Sequence, residues 1–119
     1  MAGAKAAREF LEPMFSDRDQ ELMLVAFCDE RFRLVKLLSF SGSQSAVQCS
    51  LADVFLQSVG TFGVLAAHNH PSGDSRPSEA DLRFSRRLCL VAKAIDIALL
   101  DILIFGRDSM FSFRRQGLV

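Results

Sequence analysis

The sequence predicts a layered α/β (α+β) domain, with helices on both faces of a mixed sheet. One observation is that short, continuous apolar runs recur along the chain and are bounded by charged or turn-forming residues, which is typical of buried strands. The second is that amphipathic segments with a serine at their start separate several of these runs, as expected for helices that pack on a sheet. The chain has 119 residues, so it is long enough for one such domain, spanning 1–119, and too short for two.

The first third of the chain predicts a helix followed by a hairpin. Residues 3–12 have helix-forming composition, and Pro13 ends that stretch. Residues 22–28 are continuously apolar, as in a strand that is buried on both faces. Residues 29–31 are charged and predict a turn into a second strand over 34–40.

The middle of the chain predicts a second helix and a third strand. Ser50-x-x-Asp53 is similar to a capping box, which marks the start of a helix, and Gly60 is placed to end that helix. Residues 62–67 are an apolar run that delivers His68 at its carboxyl end. Four apolar side chains of the predicted helix are spaced for one face, namely Leu51, Val54, Phe55 and Val59.

The last third predicts an amphipathic helix followed by two strands. Residues 79–95 repeat apolar side chains at helical spacing, which predicts a helix whose apolar face lies on the sheet. Residues 97–105 predict a buried strand, and residues 110–113 predict a short final strand. Asp101 interrupts the first of these strands, where an unpaired carboxylate would be costly. We expect it either to orient a metal-binding histidine or to pair with a surface arginine.

Composition excludes several classes of protein. Half of the residues are hydrophobic, so a disordered chain is not expected. No apolar run reaches the roughly 18 residues of a membrane helix. The first residues are charged and alanine-rich and do not form the apolar segment of a secretory signal, so the default expectation is a cytoplasmic location. The formal net charge is zero, which does not favour nucleic-acid binding, since that relies on a basic excess.

The three cysteines, Cys28, Cys49 and Cys89, form no Cys-x-x-Cys pair. Their odd number and their spacing suggest neither a disulfide framework nor a thiolate zinc site. Most of them lie in apolar surroundings in the sequence, so we expect reduced and mostly buried thiols.

Two histidines one residue apart, His68 and His70, follow the predicted third strand. Pro71 and Gly73 favour a turn there, since proline fixes φ and glycine allows positive φ, so both rings can face one point. The Asp81 carboxylate stands eleven residues after His70, one turn into a predicted helix. Two imidazoles and a carboxylate, with room for a water, are the ligand set of a catalytic zinc site. The alternative is a local one, with histidines that hydrogen-bond at a strand end and an aspartate that only caps its helix.

The string His68-Asn69-His70-Pro71-Ser72-Gly73-Asp74, followed by Pro77-Ser78 and Asp81, resembles the JAMM motif of the MPN-domain metalloproteases. It is closer still to the RadC branch of that group, and a looser resemblance extends from about Glu21 to Phe113. The resemblance implies a three-layer α-β-α fold with a mixed sheet, the MPN (JAB) fold, which is similar to that of the cytidine deaminases. It also implies one zinc ion per chain, held by His68, His70 and Asp81, and hydrolysis of a peptide or isopeptide bond.

The same resemblance implies that the Ser78 hydroxyl helps to hold the tetrahedral intermediate and that an upstream glutamate is the general base. A carboxylate must take a proton from the attacking water and hand it to the leaving nitrogen. Glu21 is our candidate, because it stands at the start of the first buried strand and that strand is similar to the one that opens the RadC core. The alternative is that Glu21 is only the solvated end of its strand. Glu30 and Glu79 are its rivals as the base.

Other functions are weighed against this one. The main alternative is a non-catalytic MPN-type interaction domain, with zinc for stability or with none. A zinc deaminase needs His-x-Glu and Pro-Cys-x-x-Cys, which this sequence does not contain, and HNH nucleases share only the letters His68-Asn69-His70. The residues give no support to the DNA-repair role once attached to the RadC name. We therefore expect a peptide or protein substrate, with neither nucleic acid nor membrane as partner, and the sequence is compatible with a homo-oligomer.

Overall fold

The fold is built on one mixed sheet, as seen in a computed structural model that describes residues 6, 9–15, 19–41 and 50–119. The five strands are β1 (Leu22–Cys28), β2 (Leu34–Ser41), β3 (Gly63–Asn69), β4 (Ala98–Phe105) and β5 (Met110–Ser112). Their order across the sheet is β2-β1-β3-β4-β5. Strands β3 and β4 are parallel, and the other neighbouring pairs are antiparallel. The two α-helices of the described residues are α1 (Leu51–Gln57) and α2 (Glu79–Ala94).

Two hydrophobic cores, one on each face of the sheet, confirm the predicted layered architecture. Side chains alternate along each strand, so Met23, Val25 and Phe27 of β1 enter one core while Leu22 and Leu24 enter the other. The first core is completed by α1 and α2, through side chains such as Val54 and Leu88. The second core is completed by the N-terminal segment, through Leu11 and Phe15.

The N-terminal segment packs on the second core with a short α-helical stretch that continues as a 3-10 helix. Residues 9–11 are helical and continue into a 3-10 helix, Glu12–Phe15, so Pro13 lies inside the tighter turn and does not end the segment. Leu11 and Phe15 are buried, and the ring of Phe15 stacks on Phe105 with centroids 5.0 Å apart. Most of the helix expected over 3–12 lies outside the described residues.

Helix α1 is shorter than the sequence pattern suggested. It has seven residues and ends at Gln57 with Ser58 as its cap, while Gly60, at φ of 82°, lies in the following turn. Val59 therefore follows the end of the helix and is 74% exposed, and Phe55 is 45% exposed. The expectation that these two residues share one helical face with Leu51 and Val54 is wrong, because the helix ends before Val59. In a helix of only two turns, few side chains can face the sheet.

Strand β3 extends two residues further than the apolar run predicted, through His68 and Asn69. It pairs with β1 over residues 63–68 and with β4 over residues 63–69, so His68 is held by both ladders and Asn69 by the β4 ladder. Met23 of β1 is the partner of His68, and Phe105 of β4 is the partner of Asn69. The end of β3 is therefore a rigid platform on which a site can be built.

Strand β2 lies at an edge of the sheet and is mostly exposed. Cys28 is a buried free thiol whose pKa is raised by burial, and Cys89 is a partly buried free thiol. Cys49 lies outside the described residues. Across the described parts of the chain, none of the helices has the length and apolar character needed to cross a membrane.

Candidate metal centre

His68 is presented to α2 by the alternation of β3. Val64, Ala66 and His68 share one face of the strand, and the first two of these residues lie in the core that α2 covers. The imidazole is only 3% exposed, its Nδ1 has no hydrogen-bond partner within the described residues, and its Nε2 faces a carboxylate oxygen of Asp81 at 3.0 Å. A buried polar nitrogen without a partner is costly, so the ring points to a ligand.

His70 follows the end of β3 and is anchored by its backbone. Its N–H donates to the carbonyl of Phe105 at 2.9 Å, which extends the pairing of β3 with β4 by one residue. Its Nδ1 lies 2.8 Å from the carbonyl oxygen of Asp74. A carbonyl only accepts, so Nδ1 carries the proton and the Nε2 lone pair of the neutral ring is free to bind a metal.

Asp81 is fixed by the start of α2, where it forms a reciprocal capping box with Ser78. The Ser78 hydroxyl accepts from the Asp81 N–H at 3.1 Å, and the Ser78 N–H donates to Oδ2 of Asp81 at 2.8 Å. The same carboxylate reaches both rings. Its Oδ1 lies 3.0 Å from Nε2 of His68, and its Oδ2 lies 3.0 Å from Nε2 of His70.

The three side chains fit a metal ion. The atoms that they could offer as ligands all lie within 4.8 Å of one another, and they are the group of His, Cys, Asp and Glu side chains among the described residues that could hold a metal ion. The Nε2 lone pair of neutral His70 faces a carboxylate oxygen 3.0 Å away, and two lone pairs at that distance repel unless a cation lies between them. A proton or a metal ion can take that place, and two imidazoles with one carboxylate are a donor set that zinc accepts. The sequence thus identified three residues that the fold brings together.

Electrostatics at the cluster favour opposite charges on its members. Burial alone would raise the pKa of Asp81, but the hydrogen bonds of the two histidines, the charge of His68 and the Ser78 N–H hold it well below its usual range. The hydrogen bond to Asp81 raises the pKa of His70, against a smaller opposing effect of burial. The aspartate is therefore a carboxylate at neutral pH and is ready to bind a cation.

The loop that carries His70 is held by the turn between β4 and β5. The Arg107 N–H donates to the Gly73 carbonyl at 3.0 Å, and the hydroxyls of Ser75 and Ser109 are 2.8 Å apart. The two backbones approach so closely that a Cβ on Gly106 would lie 2.4 Å from the Gly73 carbonyl oxygen. Glycine at 106 is therefore a packing requirement of this contact, and the sequence alone gave no sign of it.

Glu21 immediately precedes β1, and His70 immediately follows β3. The antiparallel β1–β3 ladder ends at the Met23–His68 pair, and continuing that register by two residues sets Glu21 opposite His70. Glu21 is partly buried. The hydrogen bond to Asp81 is the main cause that raises the pKa of His70, the Asp74 carbonyl adds to it, and the negative charge of Glu21 makes a smaller contribution.

The two rival glutamates lie elsewhere. Glu30 belongs to the turn after Cys28, at the end of β1 that pairs with Gly63 and not with His68. Seven strand residues separate the two ends of β1, which is about 20 Å at the rise of a strand. Glu79 is exposed as the first residue of α2, a position that favours an acidic side chain for the helix itself.

Asn69 is a residue of the site to which sequence reasoning assigned no role. It is 5% exposed and faces away from His68, towards the start of β1. Its Oδ1 accepts from the Leu22 N–H at 2.7 Å, and its Nδ2 donates to the Gln20 carbonyl at 3.2 Å. The signal in the sequence was a polar residue between two histidines at the end of an apolar strand.

Asp101 has neither of the roles that the sequence suggested. It is 4% exposed, and it accepts hydrogen bonds from the Ser112 hydroxyl at 2.5 Å and from the backbone N–H groups of Arg114 and Ile102. Neither histidine is among its partners in the described residues, and the Arg114 guanidinium binds two backbone carbonyls of β4 in its place. The buried carboxylate therefore accepts a hydrogen bond from a backbone N–H of the turn after β5, which would otherwise lack a partner.

A polar cleft of about 400 Å³ is lined by His70 and Gly73, by Glu12 and Asp19 of the N-terminal region, and by Arg107. His70 is the member of the cluster that lines this cleft.

The fold and the cluster together define a class: a compact α+β domain with a mixed five-stranded sheet and a candidate metal centre of two histidines and one aspartate. The family model of the RadC-like JAB domain matches residues 1–118 of the chain. The protein therefore belongs to the RadC-like JAB domain family, which confirms the resemblance drawn from the sequence.

Proposed function

We propose that the protein is a zinc-dependent metallohydrolase of the JAMM type that cleaves a peptide or isopeptide bond. The observation that carries the proposal is the convergence of His68, His70 and Asp81, with the Nε2 lone pair of neutral His70 directed at the carboxylate. Membership of a family that includes metalloproteases supports it.

Each residue has a stated part in the proposed reaction. A zinc ion bound by the three ligands would lower the pKa of a water molecule to about 7 and polarise the scissile carbonyl. Glu21 takes one proton from the attacking water as its oxygen bonds to the carbonyl carbon. The Ser78 hydroxyl, whose oxygen already accepts from the Asp81 N–H, donates a hydrogen bond to the negatively charged carbonyl oxygen and keeps its proton. Glu21 then gives its proton to the leaving nitrogen as the carbon–nitrogen bond breaks.

The peptide class of substrate is supported by the shape of the site. The polar cleft beside His70 is open, and its walls offer both acidic and basic side chains. A peptide backbone is itself polar and extended, so it suits such a cleft. We propose that the partner is a peptide or a protein segment that enters along this cleft.

Metal content is the first test. Purified wild-type protein, dialysed against trace zinc, is expected to hold close to one zinc ion per chain by elemental analysis. The His70→Ala variant is expected to hold little, because it removes a ligand that no other described residue replaces. Asp53→Asn, a change at an exposed acidic residue outside the cluster, is the matched control. Equal zinc in wild type and His70→Ala would overturn the proposal.

Turnover is the second test. The zinc-loaded protein is incubated with a mixed peptide library that includes lysine-linked isopeptides, and new termini are read by mass spectrometry. Glu21→Gln is expected to keep its zinc and lose roughly 10²- to 10⁴-fold in rate, the usual contribution of a general base. Glu30→Gln, at the far end of β1, is expected to cleave at the wild-type rate. Equal rates in Glu21→Gln and wild type would remove Glu21 from the mechanism.

A non-catalytic interaction domain is the second candidate, and one observation favours it. The edge strand β2 exposes three apolar side chains, with Leu34 47%, Val35 50% and Leu37 37% exposed. An edge strand of this kind can pair with another chain. Under this alternative, zinc-loaded wild type cleaves no member of the library, and Glu21→Gln changes nothing that can be measured.

A further inference from the structure

We propose that Asn69 is a positioning residue that fixes the general base against the metal centre, an inference that rests on the role proposed above for Glu21. Nothing in the chemistry of zinc ligation requires a polar residue between the two histidines. The side chain of Asn69 is nevertheless buried and makes two hydrogen bonds, both to the backbone around Glu21.

The two bonds hold the two peptide groups that flank Glu21. The Gln20 carbonyl belongs to the peptide group before Glu21, and the Leu22 N–H belongs to the peptide group after it. Asn69 donates to the first at 3.2 Å and accepts from the second at 2.7 Å. With both adjoining peptide planes held, φ and ψ of Glu21 are restricted, and so is the direction of its side chain.

An amide side chain is suited to this pair of contacts. A carbonyl needs a donor and an N–H needs an acceptor, and the carboxamide group offers one of each from a single planar unit. Aspartate would keep the bond to the Leu22 N–H but would set a second oxygen against the Gln20 carbonyl. We name the pair of bonds to Gln20 and Leu22 the Asn69 clamp.

The Asn69 clamp also links the backbone around Glu21 to the residue that lies directly between the two histidines. Asn69 lies between His68, which pairs with both neighbouring strands, and His70, whose N–H donates to the Phe105 carbonyl of β4. Glu21, in contrast, precedes the first residue of β1 and has no strand partner of its own in the ladder. Without the clamp the start of β1 could shift while both ligands stayed in place.

Binding of acetohydroxamate to the zinc-loaded chain tests the clamp without a known substrate. A hydroxamate chelates an open zinc position and carries a proton that a nearby carboxylate can accept, so its affinity reports the placement of Glu21. By isothermal titration calorimetry, Glu21→Gln is expected to weaken binding about ten-fold, the size of a lost hydrogen bond to a charged group. Asn69→Ala is expected to weaken it nearly as much while one zinc per chain is retained.

A double variant separates positioning from general stability. If Asn69 acts through Glu21, Asn69→Ala in the Glu21→Gln background should cost less than about two-fold more, because the interaction is already lost. If Asn69 only supports the fold, Asn69→Ala should weaken hydroxamate binding by the same factor in both backgrounds. That result overturns the inference. Ser85→Ala is the matched control, since it removes another buried hydrogen bond, at 2.8 Å to the Leu82 carbonyl, away from Glu21. It should leave hydroxamate affinity unchanged.

Amide exchange and a milder variant cover the case in which Asn69→Ala folds poorly. Asn69→Asp keeps the acceptor for Leu22 and should show an intermediate loss of hydroxamate affinity. Exchange of the Leu22 amide should accelerate in Asn69→Ala and not in Asn69→Asp. An unchanged Leu22 amide in Asn69→Ala would overturn the clamp.

The outcomes also separate this inference from the proposed function. If the hydroxamate results are as expected but zinc-loaded wild type cleaves no peptide, the proposed function fails and the clamp stands. If wild type cleaves peptides and Glu21→Gln does not, while the Asn69 effect is the same in both backgrounds, only the clamp fails. If zinc-loaded wild type does not bind acetohydroxamate at all, there is no open metal position for Glu21 to serve, and both fail.

Discussion

Helices α1 and α2 begin with the same four-residue pattern, Ser-x-x-Asp, but the two aspartates have different surroundings. Ser50 caps α1 and Ser78 caps α2, and in each case the serine hydroxyl accepts from the N–H of an aspartate three residues later. Asp53 is exposed at the start of α1. Asp81 instead completes a reciprocal box and lies 3.0 Å from two imidazoles.

The difference comes from what lies opposite each helix start. Helix α2 begins after the loop that leaves β3, so its first turn faces the end of the strand that carries both histidines. In the part of the chain that the structure describes, Asp53 of α1 belongs to no group of side chains that could hold a metal ion. A Ser-x-x-Asp pattern therefore predicts where a helix begins, while the neighbouring strand decides whether its aspartate can also be a ligand.

Exchanging each aspartate for its amide should give the largest contrast between the two helices. Asp81→Asn removes the anionic ligand, so the zinc affinity should fall by more than about 100-fold, beyond the range typical of residues that only support a ligand. Asp53→Asn should leave the zinc affinity unchanged. Competition with a chromophoric chelator measures both, and equal affinities would show that Asp81 does no more than Asp53.

A second contrast concerns the glycine that holds the loop before α2. Gly106→Ala would place a Cβ 2.4 Å from the Gly73 carbonyl oxygen, so the loop with His70 must shift. We expect a loss of zinc affinity of roughly ten-fold together with a lower melting temperature. Gly60→Asn, in the turn after α1, is the control, because no atom lies within 4 Å of a Cβ there and asparagine tolerates positive φ. Wild-type affinity in Gly106→Ala would show that the turn does not position the loop.

The strands and the candidate metal site could be predicted from the sequence because each depends on local pattern. Continuous apolar runs marked β1 and β4 closely, and the spacing of His68, His70 and Asp81 marked three side chains that the fold brings together. Both signals, the periodicity of apolar residues and the spacing of metal-ligand side chains, can be read from residues that are close together in the sequence.

What could not be predicted depends on contacts between distant segments. The clamp joins Asn69 to residues 47 and 49 positions away, and the Gly106 contact joins two loops. Asp101 was misjudged for the same reason, because its partner hydroxyl on Ser112 lies eleven residues later, in β5. No pattern within one element shows such pairs, since register and loop packing decide them.

Removing each serine cap should have a smaller and more equal effect. Ser50→Ala and Ser78→Ala each lose one bond from a helix N–H, so each should lower the free energy of unfolding of the zinc-free chain by about 1 kcal/mol in urea. The two variants should differ in turnover, where only Ser78→Ala removes the proposed donor to the carbonyl oxygen. Equal turnover in the two variants would assign Ser78 to capping alone.

The smallest contrast is in the pH dependence of stability in the zinc-free chain. The pKa of Asp81 is held below its ordinary 3.8, so its contribution is present above that value and is lost as pH falls below it. The pKa of His70 is raised above its ordinary 6.5, so its contribution is complete below 6.5 and is lost as pH rises through the raised value. The start of α2 should therefore stabilise the zinc-free chain most between about pH 4 and pH 6.5.

Melting temperatures of the two amide variants measure this effect. In chelator-treated protein, Asp81→Asn should melt below Asp53→Asn by the widest margin in that window, and the margin should shrink by pH 8. With zinc added, the wild-type chain should instead gain stability as pH rises. The histidines must be neutral to bind the metal, so the stabilisation by zinc grows with pH. A margin that stays constant from pH 4 to pH 9 would mean that the cluster does not couple His70 to Asp81, and that the two helix starts differ only in their distance from a metal.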